Sequence, residues 1–135
     1  MLSRFTSLLS LVGLVSFLAI ATAEIVAADP GLLDGKSFAG AFTEKGKRTG
    51  DPDTLTFANG RFRSAACDPY GFSDAPYTVV IDGDIIRFEA QTTSARYGAL
   101  KWSGVVHGPQ LQSIAEWLQS GKPPVEYIVD GTLKP

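Results

Sequence analysis

Tyr77-Thr78-Val79-Val80-Ile81-Asp82-Gly83-Asp84-Ile85-Ile86-Arg87-Phe88-Glu89-Ala90 sets the fold class. Tyr77, Val79 and Ile81 alternate with polar or β-branched neighbours, and Ile86, Phe88 and Ala90 do the same against Arg87 and Glu89. In an extended chain alternate side chains point to opposite faces, so each half reads as a strand with one face inward. Asp82-Gly83-Asp84 supplies residues that reverse the chain between them, which makes the whole a β-hairpin.

The same period recurs on both sides. Upstream, Phe38, Gly40 and Phe42 form one inward set, followed by Leu55 and Phe57. Asn59-Gly60, both tolerant of positive φ, then turns the chain into Arg61-Phe62-Arg63-Ser64-Ala65-Ala66, with Phe62 inward. Downstream, Leu100, Trp102, Gly104 and Val106 form another set, and Val125, Tyr127, Val129 and Leu133 form the last. Pro109 to Leu118 is ambiguous. Leu111, Ile114, Ala115 and Leu118 follow helical spacing between Pro109 and Gly121, whereas a strand would place Leu111, Ser113, Ala115 and Trp117 on one face.

Strands joined in succession by short turns pair antiparallel, and a long run of them closes because an open sheet leaves unpaired edges. The expected architecture is therefore an all-β, up-and-down antiparallel barrel of about eight strands, with a β-sandwich as the alternative. Thr43 to Asp53 reads as a polar loop and Asp68 to Pro76 as an aromatic one.

The chain begins differently. Arg4 is followed by no charged residue until Glu24, and the span between is richest in apolar residues from Leu8 to Ile20. It ends in the small-residue sites Ala21-Thr22-Ala23 and Val26-Ala27-Ala28. That order is the order of a cleavable signal peptide, with a helical apolar segment. Cleavage after Ala23 or Ala28 fits, and the boundary is set at 28: residues 1–28 as signal peptide, residues 29–135 as one domain. An uncleaved anchor is the competing reading, since residues 5–23 carry no charge; the interruptions at Ser10, Gly13 and Ser16 oppose it. Neither site has a cysteine to accept a lipid. The expected location is periplasmic or secreted, with no membrane attachment after cleavage.

The net charge of the chain is −2, and removing Arg4 and Glu24 leaves it unchanged. Neither sign dominates, which gives no case for nucleic acid or an anionic membrane surface as partner. One cysteine, Cys67, excludes an internal disulfide.

Leu33-Asp34-Gly35-Lys36 before Phe38-x-Gly40, together with Trp102-x-Gly104 and a second Trp117, resembles small secreted bacterial proteins with lipocalin-like, or calycin, barrels. The stretch Gly60-x-Phe62-x-Ser64-x-x-Cys67-Asp68-x-Tyr70-Gly71-Phe72 is similar to that of uncharacterised exported members. The resemblance implies a strand at Leu111 to Trp117, and it carries no activity with it. An eight-stranded barrel encloses packed side chains or one small ligand. Phe38, Phe42, Phe57, Phe62, Phe88, Trp102 and Tyr127 all point inward and occupy much of that room.

Residues with chemistry are few. Cys67 ends a strand at the barrel rim, where it reads as a buried apolar side chain, an intermolecular disulfide partner, a metal ligand or a nucleophile. His107, the only histidine, lies beside Gly108-Pro109 and reads as a turn residue. There is no nucleophile elbow and no zinc spacing, and Asp51-Pro52-Asp53 and Asp82-Gly83-Asp84 read as turns rather than calcium sites. No catalytic residue, metal site or cofactor is assigned. The aromatic loop reaching Tyr77 is where ligand contact or core capping is expected. The candidate ligand- or partner-binding residues are Cys67, Tyr70, Phe72 and Tyr77. The functional expectation is a non-enzymatic binding module taking a small apolar ligand or an exported protein partner at one barrel end. A filled barrel acting as an interaction or inhibitor protein is the second expectation, and an enzyme of unknown type the third.

Overall fold

The computed structural model describes residues 31–135, the two-residue strand Val26–Ala27, and Gly13, Val15, Ser16, Leu18 and Ala19. Most of the expected signal helix and both cleavage bonds lie outside the described residues. In chain order the strands are β1 (Val26–Ala27), β2 (Ser37–Glu44), β3 (Asp51–Ala58), β4 (Arg61–Ser64), β5 (Ala75–Asp82), β6 (Ile85–Ser94), β7 (Gly98–His107), β8 (Gln110–Leu118) and β9 (Val125–Leu133). A 3-10 helix, Ala65–Tyr70, joins β4 to β5.

Each strand from β2 to β9 pairs antiparallel with the next, and β9 returns to β2 in a register running from Phe38 opposite Leu133 to Glu44 opposite Tyr127. The eight strands therefore form one closed barrel, and the sandwich alternative is set aside. The short β4 reaches only Ala75 and Pro76 of β5; farther along, Val80 and Ile81 pair instead with β1.

The two ends of the barrel differ. Three connections at one end are two-residue turns, after β3, β5 and β7. At the first of them Asn59 and Gly60 take φ of 53° and 71°, the mirror-image turn that matches strand twist. This end is closed by residues 31–36. Leu33 is completely buried, and the Asp34 carboxylate accepts from Gly60 N–H at 3.0 Å and from the Tyr77 hydroxyl at 2.7 Å. The longer connections 45–50, 65–74, 95–97 and 119–124 all gather at the opposite end, which forms a mouth.

Alternation fills the interior with rings. Phe57 lies at the centre, its ring centroid 5.0 Å from Tyr77, 5.1 Å from Phe88 and 5.2 Å from Phe62. Trp102 packs 4.9 Å from Phe62 and donates its indole N–H to the buried Thr92 hydroxyl at 3.1 Å. Small residues make room for these rings. A Cβ on Gly104 would stand 2.7 Å from the Phe88 ring. Among the described residues no buried side-chain polar atom lacks a hydrogen-bond partner.

The structure decides the ambiguous segment in favour of the strand that the resemblance implies, and it corrects several other local expectations. The segment with helical spacing is strand β8: Leu111, Ser113 and Ala115 are buried, while Ile114 of the would-be helical stripe is exposed. Closure requires a strand between β7 and β9, and the Ser113 hydroxyl, turned inward, is satisfied by donating to Val129 O at 2.7 Å. Asp51-Pro52-Asp53, expected in a loop or turn, begins β3. Ala65-Ala66, expected as strand, opens the 3-10 helix. Ile81, expected inside, is 40% exposed at the tip of the β5–β6 hairpin.

Because Phe57 touches four other aromatic rings, Phe57→Ala is expected to cost about 3–5 kcal/mol in urea unfolding. Ile114→Ser, on the outer wall, is expected to change stability by no more than about 0.5 kcal/mol. Equal effects of the two would contradict this packing.

Candidate functional site

A cavity of about 460 Å³ opens at the mouth. Its wall starts from strand ends: Phe42 and Glu44 from β2, Asp51 from β3, Leu100 from β7, Trp117 from β8 and Tyr127 from β9. The connections complete it, with Lys47, Thr49 and Gly50, with Ala66, Cys67, Tyr70 and Phe72, and with Tyr97. Alternation turns the strand residues inward, and their place at a strand end or within two residues of one puts them at the mouth of the barrel. Phe42 links the two regions, its ring 4.5 Å from Tyr127 and 6.0 Å from Trp102.

Backbone anchors hold the aromatic wall. The Ser94 hydroxyl donates to Tyr70 O at 2.7 Å and accepts from Tyr97 N–H at 3.2 Å, so one buried serine fixes two tyrosine backbones. Trp117 donates its indole N–H to Tyr97 O at 2.6 Å. Tyr70 and Tyr97 meet edge to face, and the Arg96 guanidinium lies over the Tyr97 ring at 5.3 Å. Charged groups sit at the rim. Lys47 Nζ is 2.7 Å from Glu44 Oε2, a contact that raises the lysine pKa, and burial together with Glu44 raises that of Tyr127.

Cys67, expected at a strand end, faces the cavity from inside the 3-10 helix and is buried. The buried Asp53 carboxylate organises its surroundings. It accepts from the Ser64 hydroxyl at 2.7 Å and from Ala66 N–H at 2.9 Å, capping the helix from the neighbouring strand. Ser64 Oγ lies 3.2 Å from Cys67 Sγ. Its single proton can be donated to the Asp53 carboxylate or to the Cys67 sulfur, and the second arrangement favours the thiolate. Burial pushes the Cys67 pKa up to about 11, aided by the Asp53 and Asp68 charges and opposed by Ser64. The group is a thiol, not a thiolate, at neutral pH.

Of the sequence candidates, Cys67, Tyr70 and Phe72 meet at this cavity. They differ in role: Phe72 is buried and caps the core, whereas Tyr70 is 54% exposed. Tyr77 does not join them; it is buried deeper, with its hydroxyl on Asp34. His107 ends β7 at the closed end, away from Cys67. Among the described residues no group of three or more His, Cys, Asp or Glu could hold a metal ion. Tyr97, Leu100 and Trp117 also belong to the wall, although the sequence singled out none of them as a site. The only signal for them is position, since each lies within three residues of a strand end.

Two outcomes test this chemistry. Raising the thiol pKa from 9.0 to about 11 lowers its thiolate fraction about a hundredfold, so iodoacetamide should alkylate Cys67 about a hundred times more slowly at pH 8 than an unperturbed thiol. The rate should keep rising beyond pH 10; a plateau near pH 9 would contradict it. Asp53 has a raised pKa, chiefly from burial, so its charge opposes folding above that pKa and the penalty fades as the pH falls through it toward the unfolded value. The melting temperature of wild type relative to Asp53→Asn is therefore expected to rise between pH 7 and pH 4. A flat or falling difference would count against it.

Comparison with known proteins returned no match to a family model, to a curated protein or to a solved structure.

Proposed function

We propose that the protein is an exported, non-enzymatic binding module, a lipocalin-like barrel whose mouth takes a small apolar ligand. The observation that carries this reading is the cavity of about 460 Å³ walled by Phe42, Tyr70, Phe72, Tyr97, Trp117 and Tyr127. Ligand pockets are concave, largely apolar and of this size, and the rest of the barrel interior is filled. Position supports it further, because the four longer connections converge there and binding residues concentrate on loops held by a rigid scaffold.

Binding rather than catalysis is favoured by the state of the reactive groups. The one thiol is protonated at neutral pH, and Glu44 and Lys47 are engaged with each other. Export rests on the leader pattern from Arg4 to Ala28. The lipocalin-like assignment rests on barrel architecture and on the motifs around Gly35, Trp102 and Cys67, and function inferred from architecture is analogy.

Native mass spectrometry of the protein from the extracytoplasmic fraction of its own host is expected to show a polypeptide without its leader carrying a small-molecule adduct. In vitro, the apolar dye N-phenyl-1-naphthylamine is expected to bind, and Tyr127→Ala combined with Tyr97→Ala to weaken it by about tenfold or more. Ile114→Ser, outside the barrel, should leave it unchanged. Absence of both adduct and dye binding, or binding indifferent to the mouth variants, would overturn the proposal.

A further inference from the structure

Four tyrosines lie in the described residues, and they divide by place. Tyr77, outside the cavity, has its hydroxyl bonded to Asp34 at 2.7 Å. Among the described residues the hydroxyls of Tyr70, Tyr97 and Tyr127 make no hydrogen bond, and all three line the mouth cavity. The indole N–H of Trp117, by contrast, is already taken by Tyr97 O. The polar capacity left on this aromatic wall is thus phenolic: three hydroxyls, each able to donate and accept, set on rings that offer flat apolar faces.

The charges narrow the class further. Lys47 is the one base among the described wall residues, and Glu44 holds it at 2.7 Å. Glu44 and Asp51 are the acids of the same rim. A carboxylate or sulfate entering the cavity would therefore meet two acids and a lysine already paired. Cys67, protonated, adds a soft neutral surface.

We infer that the mouth cavity takes an uncharged, flat aromatic molecule bearing oxygen substituents, held by ring stacking and by the hydroxyls of Tyr70, Tyr97 and Tyr127, rather than the acyl chain of an anionic lipid. The inference rests on the ligand-binding reading above and names its ligand class.

Three probes separate the terms: naphthalene, 2-naphthol and decanoate, titrated against the full mature chain by calorimetry or by quenching of tryptophan emission. Wild type is expected to bind 2-naphthol about three- to tenfold more tightly than naphthalene, the range of one hydrogen bond. The naphthol is the more water-soluble of the two, so apolar transfer cannot produce that preference. The triple variant Tyr70→Phe, Tyr97→Phe, Tyr127→Phe keeps every ring and removes only the hydroxyls. It should bind 2-naphthol no more tightly than naphthalene, with naphthalene affinity within twofold of wild type. Decanoate should bind most weakly. Equal wild-type affinities, a preference that survives the triple variant, or tightest binding of decanoate would overturn the inference while leaving the cavity a ligand site. If the folded protein binds none of the three, the ligand-binding reading falls with it.

Discussion

The pairing of β9 with β2 is the constraint on which the rest depends. It joins the last strand to the first barrel strand along Phe38 to Glu44 and so turns a meander into a cylinder with a finite interior. In an open sheet, rings as large as those of Phe38, Phe57, Phe62, Phe88 and Trp102 could splay toward solvent. In a closed one they must interlock at the density of a solid. Small residues at Gly104, Ala90 and Ala115 are the counterpart of those rings, since each inward position without bulk admits a neighbour's ring. The close approach of Gly40 and Gly131 across the β2–β9 seam belongs to the same economy of space.

Because the interior is full, empty space is displaced to one end. Leu33 and the tight turns seal the bottom, where Asp34 ties Gly60 and Tyr77 to the sealing segment. At the top the strands end in longer connections, and the 3-10 helix lines the opening through Ala66, Cys67 and Tyr70. Asp53 explains why that helix stays in place. A carboxylate buried at the edge of β3 is unfavourable in isolation, and its hydrogen bonds from Ser64 and Ala66 make the helix start its compensation. The same arrangement sets Cys67 against the cavity and keeps its thiol neutral.

How much of this the sequence revealed depends on the range of the interaction involved. Asn59-Gly60, Asp82-Gly83-Asp84 and the alternation around Phe57, Phe88 and Trp102 are local facts, and a local pattern suffices to set a turn or a face. Strand β8 is ambiguous in sequence because Leu111, Ile114, Ala115 and Leu118 satisfy a helical period while Leu111, Ser113, Ala115 and Trp117 satisfy a strand; pairing with its two neighbours, β7 and β9, decides between them. Asp53 looked like a turn residue because its partners, Ser64 and Ala66, lie 11 and 13 positions away, and nothing in Asp51-Pro52-Asp53 announces them. The mouth was legible only in part for the same reason. Cys67, Tyr70 and Phe72 are neighbours in sequence, but Phe42, Leu100, Trp117 and Tyr127 join them only once strand register is known. Tyr77 follows the same aromatic loop in sequence and yet belongs to the core, because β5 begins at Ala75 and carries it inward.

The arrangement of the mouth also bears on how it could bind. Association loses free energy to ordering whatever side chains the ligand must immobilise, and a wall already fixed avoids that loss. Here the fixing is done by backbone acceptors and by one serine: Ser94 holds the backbones of Tyr70 and Tyr97, and Tyr97 O holds the indole of Trp117. Phe42 and Tyr127 brace each other ring to ring. None of these contacts uses a tyrosine hydroxyl. The wall is thereby rigid in its aromatic frame and uncommitted in its polar tips, a division of labour that suits recognition by shape first and by hydrogen bonding second.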